Sequence, residues 1–145
     1  MAAVRNTPAL RAFWRIHRFL LNASDGRFFT RMGPGRQLLL ITKGRKTGEP
    51  RPVGLTYIEY PAGRYIVVAS YLGEDRHPGW WLNLLANPSA EVKVGGETTP
   101  VTAQELEEPE RSEVFSQFVA EGGDEYLEYQ RRTDRRLPVV ALTPR

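Results

Sequence analysis

Two adjacent cations sit between glycines in Gly44-Arg45-Lys46-Thr47-Gly48, and Arg51 follows three residues beyond. Glycines at both ends of a turn let backbone N–H groups converge on one point, and the cationic side chains add charge-assisted hydrogen bonds, so the chemistry on offer is anion binding. A solvated hairpin that merely carries cations is the plainer alternative. The stretch is no Walker loop, because it lacks both the spacing and the helix that should follow.

A second group runs from Ala69-Ser70 through Arg76-His77-Pro78-Gly79-Trp80. An apolar strand ending at Ser70 delivers a hydroxyl and nearby backbone donors to a loop, and the start of the helix beyond it favours negative charge. Trp80 and Trp81 are neighbours and cannot share a helix face, which predicts one in the core and one free to stack on a planar ligand or cover a barrel mouth. Tyr126 and Tyr129 are three apart, on one side of a C-terminal helix, where their hydroxyls could donate hydrogen bonds or a proton. An aromatic pair packed on the core is the plainer reading of those two.

Other chemistries are excluded by what is missing. There is no cysteine, so disulfides, thiol nucleophiles and thiolate zinc sites are ruled out. The two histidines, His17 and His77, lie far apart and outside any HExxH spacing, so no metal site is expected. Neither has a serine and an aspartate arranged for a nucleophilic triad.

The elements that must position these groups follow from hydrophobic period and punctuation. Gln37 to Lys43 and Pro52 to Tyr60 read as strands around the basic turn, and Pro61-Ala62-Gly63 leads to a buried strand over Arg64 to Ser70. A short helix begins near Pro78 and stops at Asn87-Pro88. Strands over Ala90 to Val94 and Thr98 to Gln104 are joined at Gly95-Gly96. Helices from Pro109 to Ala120 and Asp124 to Thr133 precede a last strand, Leu137 to Leu142. Six strands with hairpin connections predict an antiparallel barrel decorated by helices.

The 145 residues suit one domain spanning residues 1–145, of which residues 1–30 form a basic N-terminal helix and loop. That helix, over residues 8–21, alternates aromatics with arginines, a pattern of packing on the domain or of peripheral membrane association. No secretory signal and no apolar run of roughly 18 to 20 residues is visible, so a cytoplasmic location is expected, with membrane association through that helix as the variant. A net charge of +3 permits an anionic partner but is small for nucleic-acid binding, which is not expected.

The stretches LLLITKGRKTGEPRPVGLTYIEY, YIVVASYLGEDRHPGWWLNLLANPSAEVKVGGE and YLEYQRRTDRRLPVVAL resemble, in that order, the deazaflavin (F420)-dependent nitroreductase and quinone reductase family. The resemblance implies an α+β fold, a six-stranded antiparallel split β-barrel of the FMN-binding kind with peripheral helices. It implies coenzyme F420 as cofactor, with FMN as the alternative, and hydride transfer from C5 of the reduced deazaflavin to a small-molecule quinone, enone or nitroaromatic acceptor. F420 carries a phosphodiester and a polyglutamate tail, so the resemblance assigns the tail to Arg45, Lys46, Thr47, Gly48 and Arg51. It places Ala69, Ser70, Arg76, His77, Pro78 and Trp80 against the cofactor or around its pocket, and leaves Tyr126, Tyr129 and Ser70 as donors to the acceptor.

Two departures are visible. Family members often follow the serine with a lysine and glycines, where this chain has Tyr71-Leu72-Gly73, and many carry a third tyrosine where this chain has Gly123. A barrel of this kind that binds a fatty acid or flavin without turnover is the rival reading. Either barrel holds its ligand within one chain or across a dimer interface.

Overall fold

The computed structural model describes residues 36–145. The helix expected over residues 8–21, and its membrane role, lie outside the described residues. The strands are β1 (Arg36–Lys43), β2 (Pro50–Glu59), β3 (Tyr65–Val68), β4 (Ser89–Val94), β5 (Glu97–Glu105) and β6 (Val139–Pro144). The helices are α1 (Gly79–Ala86), α2 (Glu110–Ala120) and α3 (Glu125–Arg131), with a 3-10 turn at Tyr71–Gly73. The strands close into an antiparallel barrel in the order β1-β2-β3-β6-β5-β4.

Strand alternation sorts the apolar residues into two cores. Val67 and Ala69 of the third strand region join Val140 and Leu142 of β6 in an inner cluster, with Leu38, Leu40, Val92 and Val101 from the other strands. Their neighbours Ile66, Val68, Val139 and Ala141 face outward beneath Val114, Phe115 and Phe118 of α2. A strand buried on both faces reads as a continuous apolar run, which is why YIVVA shows no polar alternation. Trp80, Trp81 and Leu84 of α1 complete the inner cluster.

The barrel is split on one side. Pairing of β2 with β3 is confined to Ile58↔Ile66 and Glu59↔Tyr65, whereas β2 pairs with β1 over its first eight residues, from Lys43↔Pro50 to Arg36↔Tyr57. Among the described residues, the other edge of Pro50 to Tyr57 therefore has no strand beside it. Two prolines, Pro50 and Pro52, sit in this segment, as suits a strand with a free edge.

The expected barrel and the three helices expected within residues 36–145 are borne out, with most element ends shifted by one or two residues, two of them for a visible reason. The third strand leaves the sheet at Val68, two residues before the expected end, because the Ser70 N–H turns back to the Val68 carbonyl at 3.0 Å. The last strand starts at Val139 and not at Leu137, since the Leu137 N–H is taken by the Gln130 side chain at 3.0 Å. Among the described residues no helix is long and apolar enough to cross a membrane.

Candidate active site

The split between β2 and β3 holds a cavity of about 700 Å³. Its walls are Pro52 to Thr56 on the β2 side and Val68, Ser70, Tyr71 and Leu72 on the β3 side, while α1 contributes Pro78, Gly79, Trp80 and Asn83. Arg51 and Thr56, both on its lining, are five residues apart on one strand, roughly 17 Å at the usual rise. The cavity is therefore an elongated groove with chemically different ends.

One end is the β1–β2 turn. The Gly44 N–H donates to the Glu49 carbonyl at 2.7 Å, and the Gly48 N–H donates to the Gly44 carbonyl at 2.7 Å. Gly48 has a φ of 76°, so it shapes this turn rather than lining the groove. Thr47 lines the groove, and its hydroxyl accepts the Glu49 N–H at 3.2 Å.

The three cations differ in how far they are committed. Arg45 donates to the Asn83 side-chain oxygen twice, from its backbone N–H at 3.1 Å and from Nη1 at 3.0 Å. Asn83 is buried and in turn donates to the Thr42 hydroxyl at 3.0 Å. This chain of bonds fixes the turn against α1. Arg51 pairs with Glu49 at 3.2 Å, and among the described residues Lys46 makes no ion pair, which leaves its ammonium available to a ligand.

The other end is lined with hydroxyls. Tyr126 reaches it from α3, held edge-on against Phe118 (centroids 4.8 Å) and Tyr129 (5.1 Å). Burial pushes the Tyr126 phenol up to about 12, although the facing Thr56 and Ser70 hydroxyls favour the phenolate and oppose the shift. The Thr56 hydroxyl accepts from the Gln37 side-chain amide at 2.5 Å. At neutral pH Tyr126 is thus a protonated donor facing the groove.

Most of the expected site residues meet here: Arg45, Lys46, Thr47, Arg51, Ser70, Pro78, Trp80 and Tyr126 all line one groove. Others are placed elsewhere. The Ala69 side chain is fully buried in the inner cluster, so only its backbone is near the site. Tyr129, like Tyr126, packs on the outer cluster but is not on the groove lining, and Arg132 lies over its ring at 5.5 Å. Arg76 is not on the groove lining, and its guanidinium lies over the Tyr71 ring at 5.3 Å. His77 is turned toward Arg135, with Nη1 to Nδ1 at 2.9 Å. Trp80 and Trp81 are both buried, and Trp80 is the one of the pair that also reaches the groove.

Arg135, Asn83, Thr56 and Gln37 were missed by the sequence reading. Arg135 sits in an arginine-rich run that resembles any solvated surface, yet it donates to the carbonyls of Ala69 at 3.0 Å, Ser70 at 2.7 Å and Glu74 at 3.1 Å. A tyrosine at Gly123 would force a local shift, since a Cβ there would lie 2.7 Å from the Phe118 ring.

His77 makes this corner sensitive to pH. Burial and the Arg135 charge lower its pKa below the ordinary 6.5, with Glu105 opposing. The unfolded chain then binds the proton more readily than the fold does, so stability is full above about 6.5 and falls as pH drops toward the folded pKa. Urea midpoints measured from pH 7.5 down to 5.5 should decline more for the wild type than for His77→Gln. Parallel declines would remove His77 as the cause.

Comparison with known proteins agrees with this geometry. Residues 13–144 match the model of the F420H(2)-dependent quinone reductase family. An F420H(2)-dependent quinone reductase of Mycobacterium tuberculosis is 38% identical over 134 residues, covering 90% of this chain and 89% of that protein. A solved F420-H2 dependent reductase, FDR-A, superposes with a TM-score of 0.67 at 38% identity, covering 73% of this chain and 92% of its own. A second solved structure, described only as a domain-swapped dimer, has a TM-score of 0.69 at 33% identity over 94% of this chain and 99% of its own. With a split barrel, a groove that is cationic at one end and hydroxyl-lined at the other, and a family match over nearly all its length, this chain belongs to the F420H(2)-dependent quinone reductase family.

Proposed function

We propose that this protein uses F420H2 to reduce a quinone, enone or nitroaromatic acceptor held in the groove between β2 and β3. The observation that carries the reading is the polarity of that groove, with Lys46, Arg45 and Arg51 at one end and the half-buried, protonated Tyr126 at the other. A polyanionic tail suits the first end and a planar, uncharged ring system suits the second, beside Trp80 and Ser70. The volume falls in the range of small-molecule sites. When bound, the reduced deazaflavin supplies a hydride from C5.

The chain's own residues orient and polarise. The bonds from Arg45 to Asn83 and on to Thr42 hold the turn in one geometry before a ligand arrives, so less freedom is lost on binding. Negative charge develops on the acceptor oxygen as it is reduced, and Tyr126 is the donor placed to meet it. A hydroquinone oxygen is itself a phenol, with an ordinary pKa of about 10. Full proton transfer to it from a phenol held at about 12 is uphill, so Tyr126 acts as a hydrogen-bond donor and the proton arrives from solvent.

The test is a fluorescence titration with F420 at low and high salt, alongside FMN and a fatty acid, followed by F420H2 oxidation with a quinone. Salt-sensitive F420 binding at low micromolar concentration and quinone-dependent oxidation are expected. Tight FMN or fatty-acid binding with no F420 binding would overturn the proposal.

A further inference from the structure

Arg135 lies off the groove lining, yet its guanidinium is committed to one segment of chain that builds part of the groove wall. Nε donates to the Glu74 carbonyl at 3.1 Å, Nη2 to the Ser70 carbonyl at 2.7 Å and Nη1 to the Ala69 carbonyl at 3.0 Å. Nη1 also meets Nδ1 of His77 at 2.9 Å. A guanidinium has N–H donors and no acceptor, so Nδ1 accepts, and His77 is a neutral imidazole with its proton on Nε2. One planar cation thus holds four points between Ala69 and His77, a fork that an ammonium cannot reproduce.

Arg135 is itself braced. Its backbone N–H donates to the Thr133 hydroxyl at 3.1 Å, and its carbonyl accepts from the Gln130 side-chain amide at 2.8 Å. The Thr133 hydroxyl donates to Asp75 at 2.6 Å and Arg132 donates to the Leu72 carbonyl at 3.2 Å, so the run from Arg132 to Arg135 clasps the loop after β3. That loop needs holding. Tyr71 and Leu72 have φ of 45° and 56°, where the Cβ of an L-residue crowds a carbonyl, and such strain persists only when its surroundings over-determine it. The loop begins at Ser70, whose hydroxyl faces the Tyr126 phenol in the groove.

We propose that Arg135, with a neutral His77, is a positioning residue for the reductase reaction, fixing the loop after β3 so that the Ser70 hydroxyl stays against Tyr126 where the acceptor is met. The inference rests on the reductase reading above. Without the guanidinium the carbonyls of Ala69, Ser70 and Glu74 each lose a donor, and the strained pair relaxes and carries Ser70 with it. A misplacement on the order of 1 Å at a reacting site costs about 100-fold in rate. Protonation of His77 weakens the same clasp, because an imidazolium has no acceptor on Nδ1 and repels the guanidinium. Among the described residues the charges acting on His77 are Arg135 and, from the end of β5, Glu105, which opposes it, while Asp75 acts on Arg135 from within the loop.

The experiment measures kcat with F420H2 and 2-methyl-1,4-naphthoquinone, and the F420 Kd, for the full chain as wild type, Arg135→Lys, Ser70→Ala and the double variant. In a second arm, kcat of wild type and His77→Gln is followed from pH 7.5 to 5.5, at values where circular dichroism shows the fold intact. Arg135→Lys should lower kcat roughly 10- to 100-fold while the F420 Kd holds, since the cations suited to the anionic tail lie on the β1–β2 turn. The double variant should be little worse than the more severe single one, because both act on the same hydroxyl. His77→Gln supplies an amide oxygen that accepts without titrating, so its kcat should fall less on acidification than that of the wild type.

Unchanged kcat in Arg135→Lys, full kcat in Ser70→Ala, or penalties that multiply in the double variant would overturn the positioning role. A loss of F420 affinity equal to the loss of kcat would overturn it as well, by marking general disruption of the groove. If Arg135→Lys does not fold, the acid profiles decide: equal declines overturn the role, and a flatter profile for His77→Gln sustains it. A wild type that binds F420 but does not reduce the quinone would overturn the reductase reading and the positioning role with it. A wild type that turns over leaves that reading standing whatever Arg135 does.

Discussion

Tyr126→Phe should lower turnover of F420H2 with a quinone by roughly 30- to 1000-fold, on the order of 2 to 4 kcal/mol in the barrier, with little change in F420 affinity. Only a hydroxyl is lost, and the ring keeps its edge-on contacts with Phe118 and Tyr129. The effect should therefore fall on kcat rather than on folding. The pH profile supplies a second check. An ordinary tyrosine is half ionised near pH 10, but Tyr126, pushed up to about 12 by burial, stays protonated, so wild-type turnover should show no loss from this group up to pH 10. Unchanged kcat in Tyr126→Phe would remove the hydroxyl from the reaction and leave Ser70 or Thr56 as the donor facing the acceptor.

The second large effect is on binding. The double variant Lys46→Ala, Arg51→Ala should weaken F420 by roughly 10- to 100-fold, as expected for losing charge-assisted hydrogen bonds of about 1.5 to 3 kcal/mol reduced by solvent screening. The dependence of log Kd on log salt should flatten in parallel. Lys46 should carry more of the loss than Arg51, because Arg51 already pairs with Glu49 and a ligand must compete for it. Substituting Arg45 would act differently, since its backbone and side chain both hold Asn83. Isothermal titration at two ionic strengths distinguishes these cases. Full retention of affinity and salt slope in the double variant would take the anionic tail away from this turn.

Local signals carried much of this account. Gly44 and Gly48 around two cations mark a turn suited to anions, and the continuous apolar run YIVVA marks a strand buried on both faces. Hairpin punctuation at Pro61-Ala62-Gly63 and Gly95-Gly96 is enough to choose an antiparallel barrel, because glycine and proline act through their own backbone preferences whatever surrounds them.

The tertiary structure decided what depends on partners distant in the chain. Residue spacing put Tyr126 and Tyr129 on one side of a helix, but only the packing of α3 on the outer core selects Tyr126 for the groove. His77 and Arg76 stand beside Pro78 in sequence, and Arg135 and Tyr71 draw them away from the lining. Arg135 is 65 residues from the Ser70 carbonyl it holds. Sequence by itself determined the residue types, the turn chemistry and the strand and helix periods, all of them local properties. Which hydroxyl faces the groove, which cation is uncommitted and where the barrel splits arise from contacts between distant segments, whose energies no local pattern records.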